Sequence, residues 1–223
     1  ELAERFAVRL AASGIAAGAI ASRHLSSLCG FPNAIGFDMG GTSTDVSLVY
    51  QGEERVTKEW FVEYGYPICF PSIEVLTIGA GGGSFAWIDE AGSLRNGPQS
   101  AGAHPGPACY GRGNDRPTNT DANLVLGRLG ANLIGGAMEL NRAAAEQAIR
   151  DHVAEPLGLD PVEAADAVIR VANANMADAM RLISIRRGYD PREFCLVAFG
   201  GAGPLHGAAL AHHFASNGHE LVL

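Results

Sequence analysis

The fold of this 223-residue chain is decided by the stretch Phe37-Asp38-Met39-Gly40-Gly41-Thr42-Ser43-Thr44-Asp45-Val46-Ser47-Leu48-Val49. The apolar run that leads into Asp38 predicts a strand, and residues 46–50 predict a second strand that returns beside it. Gly40 and Gly41 lie between the two runs, and glycine adopts backbone angles that a side chain forbids. The stretch therefore predicts a strand, a tight turn and a strand.

The predicted turn carries more polar chemistry than a hairpin needs. Its amides and hydroxyls can donate hydrogen bonds to phosphate oxygens, and its carboxylates can hold a hydrated Mg²⁺. The alternative is an ordinary polar turn in which aspartate caps its own backbone. The candidate phosphate-binding residues are Gly40, Gly41, Thr42 and Thr44, and the candidate catalytic residues are Asp38 and Asp45.

The composition is that of a globular chain without general affinity for polyanions. Hydrophobic residues make up 47% and charged residues 18%, which excludes a disordered chain and predicts one or two domains. The net charge of -8 predicts no binding to nucleic acid or to an anionic membrane surface. The cysteines are widely spaced and no apolar run reaches the length of a membrane span, so we expect free thiols in the cytoplasm.

The first half of the chain predicts both helices and strands. Two helices are expected before Pro32, the first of them ending at Gly14. Residues 55–62 predict another strand, and residues 85–94 predict a hairpin. The charged, helical start of the chain and the strand-like run at residues 220–223 lead us to expect a fragment of a longer polypeptide.

The second half predicts three capped helices and a buried strand. The expected N-caps are Thr118 or Asp121, then Asn141, then Asp160, whose helix runs to about residue 187. Residues 194–199 are uniformly apolar and predict a buried strand. This strand leads through a glycine turn into a helix over residues 205–214, a geometry that suits an anion or an adenosine group. Helices and strands together predict an α/β fold class.

Three glycine-rich turns each follow a β-rich run, at residues 38–45, 79–83 and 200–203. Such turns let a ligand approach the backbone, and three of them indicate a ligand held by backbone amides in a cleft. The alternative is that the glycines serve only packing. The additional candidate nucleotide-binding residues are Gly81, Gly82, Gly200, Gly201 and Gly203.

A metal site is a further hypothesis. Asp38, Asp121 and His206 are the candidate metal ligands, although no H-x-x-x-H or H-E-x-x-H spacing joins them to other ligands. The alternative for a lone histidine is a core residue with its hydrogen bonds satisfied. His206 is singled out because it lies in the first turn after a glycine loop.

Several motifs together are similar to the hydantoinase A/oxoprolinase family, the ATP-dependent subunits of hydantoinases, 5-oxoprolinases and acetone-type carboxylases. They cover residues 37–206 in the family's order, which is far more specific than one glycine turn. Besides residues 37–49, the motifs are Thr77-Ile78-Gly79-Ala80-Gly81-Gly82-Gly83-Ser84, Gly97-Pro98-Gln99-Ser100-Ala101-Gly102-Ala103, Pro105-Gly106-Pro107-Ala108-Cys109-Tyr110-Gly111, Pro117-Thr118-Asn119-Thr120-Asp121-Ala122-Asn123-Leu124-Val125-Leu126-Gly127 and Phe199-Gly200-Gly201-Ala202-Gly203-Pro204-Leu205-His206.

The resemblance implies the actin-like ATPase fold of sugar kinases and heat-shock chaperones. Two RNase H-like domains, each with a central mixed sheet flanked by helices, close on ATP in that fold. Residues 1–50 and 160–223 would form one RNase H-like core, and residues 51–159 an inserted subdomain. Residues 38–45 would be the second phosphate loop and residues 200–206 the adenosine loop. The first phosphate loop is expected upstream, so the chain would be the second half of the ATPase and inactive alone.

The resemblance also implies a reaction. The protein would use ATP and Mg²⁺ to phosphorylate the oxygen of a cyclic amide or imide, such as hydantoin or 5-oxoproline, and water would then open the ring. A hydantoinase B-type subunit or domain would be its partner, in an oligomer. The alternatives are an ATP-dependent carboxylase subunit of the acetone type, a sugar or acid kinase of the same superfamily, and a non-catalytic nucleotide switch.

Overall fold

The computed structural model describes residues 4, 10, 13–58, 60–61, 67–68 and 71–216. Apart from residues 4 and 10, the first of the two helices predicted before Pro32 lies outside the described residues. The strand expected at residues 220–223 also lies outside them.

Both helices and strands occur along the described chain. The strands are β1 (Ala34–Met39), β2 (Thr44–Tyr50), β3 (Glu53–Glu54), β4 (Val56–Thr57), β5 (Trp60–Phe61), β6 (Pro67–Ile68), β7 (Ser72–Ile73), β8 (Val75–Ile78), β9 (Ser84–Ile88), β10 (Leu94–Ser100), β11 (Asn132–Leu133), β12 (Met138–Glu139) and β13 (Cys195–Phe199). The main helices are α1 (Ser13–Leu28), α2 (Asn119–Val125), α3 (Arg142–Ile149), α4 (Pro161–Ile183) and α5 (Gly203–Ser216). A π-helical turn (Arg150–Ala154) and a short helix (Glu155–Leu157) extend α3, and single 3₁₀ turns cover Ala108–Tyr110, Ile185–Arg187 and Pro191–Glu193.

The predicted strand, turn and strand form the centre of a mixed sheet. The strand order is β13-β1-β2-β3, and β8 pairs with the first half of β2. β1 runs antiparallel to β2 and parallel to β13. The register sets Asp38 opposite Asp45 on one side and Phe199 on the other. The prediction of a mixed α/β fold, with a central mixed sheet flanked by helices, is confirmed.

The two faces of the sheet have different neighbours, because alternate residues of a strand point to opposite sides. Ile35, Phe37 and Met39 are fully buried in a core that includes residues of α4 and α5. The intervening residues face α1, where a Cβ at Gly36 would meet the Ser22 hydroxyl at 2.7 Å. The side chain of Asp38 therefore projects to the α1 face.

Helix α4 joins two hydrophobic cores. Its first half, including Val168 and Ile169, packs in a core built with α2 and α3. Its second half, including Met176 and Met180, packs against the central sheet. Asp160 begins the helix with a capping box, as the sequence predicts. A rigid helix with residues in both cores places the α2 region beside the sheet.

The division into residues 1–50 with 160–223 and residues 51–159 stays a prediction. β3 and β8 both lie inside residues 51–159, and both pair with β2 in the central sheet. The second core draws on α2 and α3 from the same range but also on the first half of α4. The described contacts therefore cross the predicted boundary in both directions.

Two local predictions are wrong. Gly14 does not end a helix, because α1 begins at Ser13 and continues through the alanine-rich run to Leu28. Residues 55–62 do not form one strand, because β4 pairs with β7 whereas β5 pairs with β6. The segment changes partner between Thr57 and Trp60.

The helices in the described ranges all fall short of the combined length and apolar character that crossing a bilayer requires.

Candidate functional site

The first turn, residues 40–43, joins β1 to β2, and one of its four amides donates a hydrogen bond within the described part of the chain. The amide of Gly40 donates to the carbonyl of Ser43 at 3.0 Å, which closes the turn. In the described part of the chain, the amides of Gly41, Thr42 and Ser43 have no hydrogen-bond acceptor. A cluster of free N–H groups in a tight turn can bind an anion.

The second turn, residues 79–83, packs directly on the first. The amide of Gly82 donates to the carbonyl of Gly40 at 2.9 Å, and the amide of Gly83 donates to the carbonyl of Gly41 at 2.6 Å. A Cβ at Gly81 would lie 2.5 Å from the carbonyl carbon of Thr42, so only glycine fits there. The second turn therefore fixes the shape of the first.

The third turn, residues 200–203, docks on the end of β1. The amide of Ala202 donates to the carbonyl of Met39 at 2.9 Å. Gly200 has φ +84°, and a Cβ there would overlap a carboxylate oxygen of Asp38. The parallel pairing of β13 with β1 brings this turn to the same sheet edge as the first turn.

The three turns surround one cleft of about 350 Å³. Four predicted binding residues line it, namely Gly40, Gly41, Gly82 and Gly201. The remaining lining residues are Tyr110, Thr120, Asn123, Leu129, Leu133, Ala202 and Leu205. One end of the cleft thus consists of glycine backbone, and leucine side chains form an apolar wall. This combination suits a ligand with an anionic part and a flat apolar part.

Other predicted binding residues lie outside the lining. Gly81, Gly200 and Gly203 permit close approach of the turns to their neighbours. The buried hydroxyl of Thr44 donates to the carbonyl of Ala80. That hydroxyl therefore holds the second turn to β2 and has no hydrogen left for a phosphate oxygen in this arrangement. The side chain of Thr42 is exposed.

Asp38 and Asp45 form a pair on the α1 face of the sheet. They are direct cross-strand neighbours, and the carboxylate of Asp45 accepts a hydrogen bond from the Thr77 hydroxyl. Burial, and then the negative charge of Asp45, raise the pKa of Asp38 above its usual value. Their catalytic role stays a prediction, but two half-buried carboxylates side by side form a donor set of the kind that a divalent cation stabilises.

Asp121 serves the local fold. Its fully buried carboxylate accepts hydrogen bonds from the amides of Ala108 and Cys109, and from both the amide and the hydroxyl of Thr118. These bonds tie the loop of residues 101–118 to the start of α2. Burial, followed by the charge of Asp121, raises the pKa of the Cys109 thiol, which keeps it protonated.

His206 is fully buried between α5 and α4. Its Nδ1 lies 2.6 Å from Oδ1 of Asn173. Burial, and then the positive charge of Arg128, lower the pKa of His206 to about 4, so the ring is neutral at pH 7. The described residues contain no group of three or more metal-ligating side chains, so Asp38, Asp121 and His206 do not converge on one ion.

The sequence missed the wall of the cleft that α2 forms beside the glycine turns. Thr120 and Asn123 are one turn apart on α2 and both line the cleft. Their i, i+3 spacing is a signal that they share one helix face. The sequence predicts a capped helix here and a family motif over residues 117–127, but nothing local indicates which α2 face meets the glycine turns.

Comparison with known proteins gives consistent matches. The family model described as Hydantoinase/oxoprolinase matches residues 1–218. Caprolactamase subunit alpha from Pseudomonas jessenii is 49% identical over 190 residues, which are 84% of this chain and 27% of that subunit. The crystal structure of the ATP-dependent caprolactamase from Pseudomonas jessenii matches with TM-score 0.80 and 45% identity, over 88% of this chain and 28% of that one.

A second solved structure is that of an enzyme with a different reaction. The nucleotide-free structure of acetone carboxylase, described with the mechanism of ATP-dependent acetone carboxylation, matches with TM-score 0.78 and 34% identity. The match covers 86% of this chain and 27% of that chain. The described fold therefore spans less than a third of the length of these relatives.

Proposed function

The chain belongs to the hydantoinase/oxoprolinase family, and from this premise we propose that it supplies part of the nucleotide site of an ATP-dependent enzyme that opens a cyclic amide or imide. The fold would be one half of an actin-like ATPase with an RNase H-like core. The observation that carries the proposal is the meeting of three glycine turns at one cleft.

The cleft has the two parts that a nucleotide needs. The free amides of residues 41–43 offer N–H groups to phosphate oxygens, in the manner of other phosphate-binding loops. Leu129, Leu133 and Leu205 offer an apolar wall to the adenine ring. Gly41 and Gly201 have open space where a Cβ would be, so the backbone there is accessible to a ligand.

Asp38 and Asp45 fit the Mg²⁺ that normally accompanies ATP. Their adjacent carboxylates are hard oxygen ligands, and the raised pKa of Asp38 reflects burial and an uncompensated like charge. Bound there, the ion would neutralise phosphate charge during phosphoryl transfer. The carboxylates lie beside the first and third turns, since Asp38 contacts the position of Gly200.

The proposed reaction has three steps. The carbonyl oxygen of the cyclic amide attacks the γ-phosphorus of ATP, and the bond to the β-phosphate oxygen breaks to release ADP. Water then attacks the phosphorylated amide carbon, and the ring C–N bond of the adduct breaks as the nitrogen takes a proton, which opens the ring and leaves an acyl phosphate. A second water attacks the acyl carbon, and phosphate leaves with the original carbonyl oxygen. Backbone amides of the first turn would stabilise the charge that develops on the transferred phosphoryl group.

A carboxylase of the acetone type is the second candidate. The observation that favours it is the close structural similarity to acetone carboxylase. Phosphorylation of a carbon-bound oxygen is common to both reactions as we propose them. The proposal further includes a hydantoinase B-type partner, an oligomer and a cytoplasmic location.

Nucleotide binding is tested first with the protein at its natural length. We expect calorimetry with Mg²⁺ and the β,γ-imido analogue of ATP to show binding that Gly41→Ala weakens by about tenfold or more, roughly 1.4 kcal/mol. The added methyl group meets no protein atom within 4 Å but takes up cleft space. Gly14→Ala in α1 also meets no atom within 4 Å and is the matched control. Equal affinities in all three proteins would remove the cleft from the nucleotide site.

The substrate class is tested by ADP release and by isotope transfer. Lactams, hydantoin, 5-oxoproline and acetone with bicarbonate are offered in turn, together with ATP and any partner subunit that co-purifies. For a cyclic amide labelled with oxygen-18 at its carbonyl, we expect the label in the inorganic phosphate. Label that remains wholly in the ring-opened product would contradict phosphorylation of the substrate oxygen.

A further inference from the structure

Asn123 has an unused hydrogen-bond acceptor at the wall of the cleft. The residue is 2% exposed and lines the cleft. Among the described residues, its buried Oδ1 has no hydrogen-bond partner. A buried acceptor without a donor is costly, and so it points to a donor that arrives from outside the chain.

The orientation of the amide is fixed by the helix itself. Nδ2 of Asn123 donates to the carbonyl of Asn119 at 3.0 Å. Rotating the amide by half a turn would place Oδ1 against that carbonyl, and two acceptors would then face each other. Asn123 is therefore held as an acceptor at the cleft wall and cannot readily become a donor there.

The position of Asn123 along α2 relates it to the two parts of the cleft. Thr120, one helical turn earlier, donates from both its amide and its hydroxyl to the carbonyl of Gly82, at 2.7 and 2.9 Å. The carbonyl of Asn123 accepts from the amides of Arg128 and Leu129, at 2.9 and 3.4 Å. Asn123 thus lies one helical turn beyond the residue that contacts the glycine turn, and its backbone is hydrogen-bonded to Leu129 of the apolar wall that would hold a base.

We propose that Oδ1 of Asn123 accepts a hydrogen bond from the exocyclic 6-amino group of adenine and makes the cleft specific for adenine nucleotides. This inference rests on the nucleotide binding proposed above. Adenine presents an amino donor at position 6, whereas guanine and hypoxanthine present an oxygen acceptor there. An oxo-purine would set acceptor against acceptor and would leave Oδ1 unsatisfied.

The test compares two nucleotides that differ on one edge of the purine, where the oxo form replaces the 6-amino group by oxygen and carries a hydrogen on N1. The protein at its natural length is titrated with the β,γ-imido analogues of ATP and of ITP. We expect the wild type to bind the ATP analogue about tenfold or more tightly than the ITP analogue, since sites built for a donor reject ligands that lack it. In Asn123→Leu, which removes the acceptor at similar volume, the two affinities should become equal.

Controls separate a lost hydrogen bond from a lost fold. Asn123→Ala repeats the test with a residue of high helix propensity. Retained binding of the ITP analogue shows that either variant is folded. Asn132→Leu changes an exposed asparagine in β11 and should keep the wild-type discrimination.

The outcomes distinguish the two proposals. Nucleotide binding with equal wild-type affinities, or with discrimination that survives in both Asn123 variants, would overturn the role of Asn123 and leave the nucleotide site intact. Absence of binding by either analogue to the wild type would overturn the nucleotide site and, with it, the role of Asn123.

Discussion

The turns at residues 40–43 and 79–83 are similar in sequence and opposite in use. Both are glycine-rich and both follow a strand of the central sheet. Gly81 is buried against the backbone of Thr42, whereas Gly41 is exposed with no atom within 4 Å of an added Cβ. The turn at residues 79–83 is packed and fixes the shape of the turn at residues 40–43, which is the open one. Glycine content alone therefore does not identify a ligand-binding turn.

The difference between the two turns predicts the largest effect on stability. Gly81→Ala places a methyl group 2.5 Å from the Thr42 carbonyl carbon and 2.6 Å from its nitrogen, and neither backbone atom can move freely. We expect a loss of about 3 kcal/mol in the free energy of unfolding. Gly41→Ala should stay within about 0.5 kcal/mol of the wild type. Urea unfolding measures both, and similar losses in the two variants would contradict the assignment of packed and open turns.

The same contrast holds for histidine, since His206 is fully buried and His104 is exposed. The pKa of His206 is about 4 when folded and about 6.5 when unfolded. Between these pH values the unfolded chain binds more protons than the folded protein. The contribution of His206 to the free energy of unfolding is therefore fully present above pH 6.5 and is lost as the pH drops toward 4. We expect this group to contribute a loss of about 3 kcal/mol between pH 7 and 4.

Unfolding by urea at a series of pH values checks this contribution. His206→Gln removes the titrating group, so its stability should fall less between pH 7 and 4 than that of the wild type. His104→Gln is the exposed control and should keep the wild-type profile. An unchanged pH profile in His206→Gln would show that folding does not lower the pKa of this ring.

The smallest of the three expected differences in stability is between a buried and an exposed aspartate. Asp121 is fully buried with four hydrogen bonds, whereas Asp160 caps α4 from an exposed position. Asp121→Asn turns an NH₂ group toward N–H donors, and we expect a loss of about 2 kcal/mol in the free energy of unfolding. Asp160→Asn should change little, because asparagine caps a helix about as well.

Thermal unfolding of the two aspartate variants checks this contrast. A large loss of stability in Asp160→Asn, or no loss in Asp121→Asn, would contradict the prediction that the buried carboxylate contributes more to stability than the exposed one.

Much of the fold was predictable because its signals are local. The residues around Gly40 predict the β1–β2 hairpin, and Asp160 and Pro161 predict the start of α4, as the structure has them. For α2 the sequence offers Thr118 or Asp121 as the cap, and the structure has Thr118. The break in residues 55–62 was not predictable, because each half takes a different partner strand. Pairing partners are distant in sequence, so periodicity within one segment does not specify them.

Residue types at short spacing were enough to predict the family, the mixed α/β fold and the three glycine turns. The three-dimensional packing was needed to show which glycines face the cleft and which hydroxyls and carboxylates are used internally. It was also needed to show that Asn123 lines the cleft and that its Oδ1 has no hydrogen-bond donor among the described residues. These properties depend on which helix face and which strand edge meet across the core. That contact depends on packing between α2, α4 and the sheet, which no local spacing encodes.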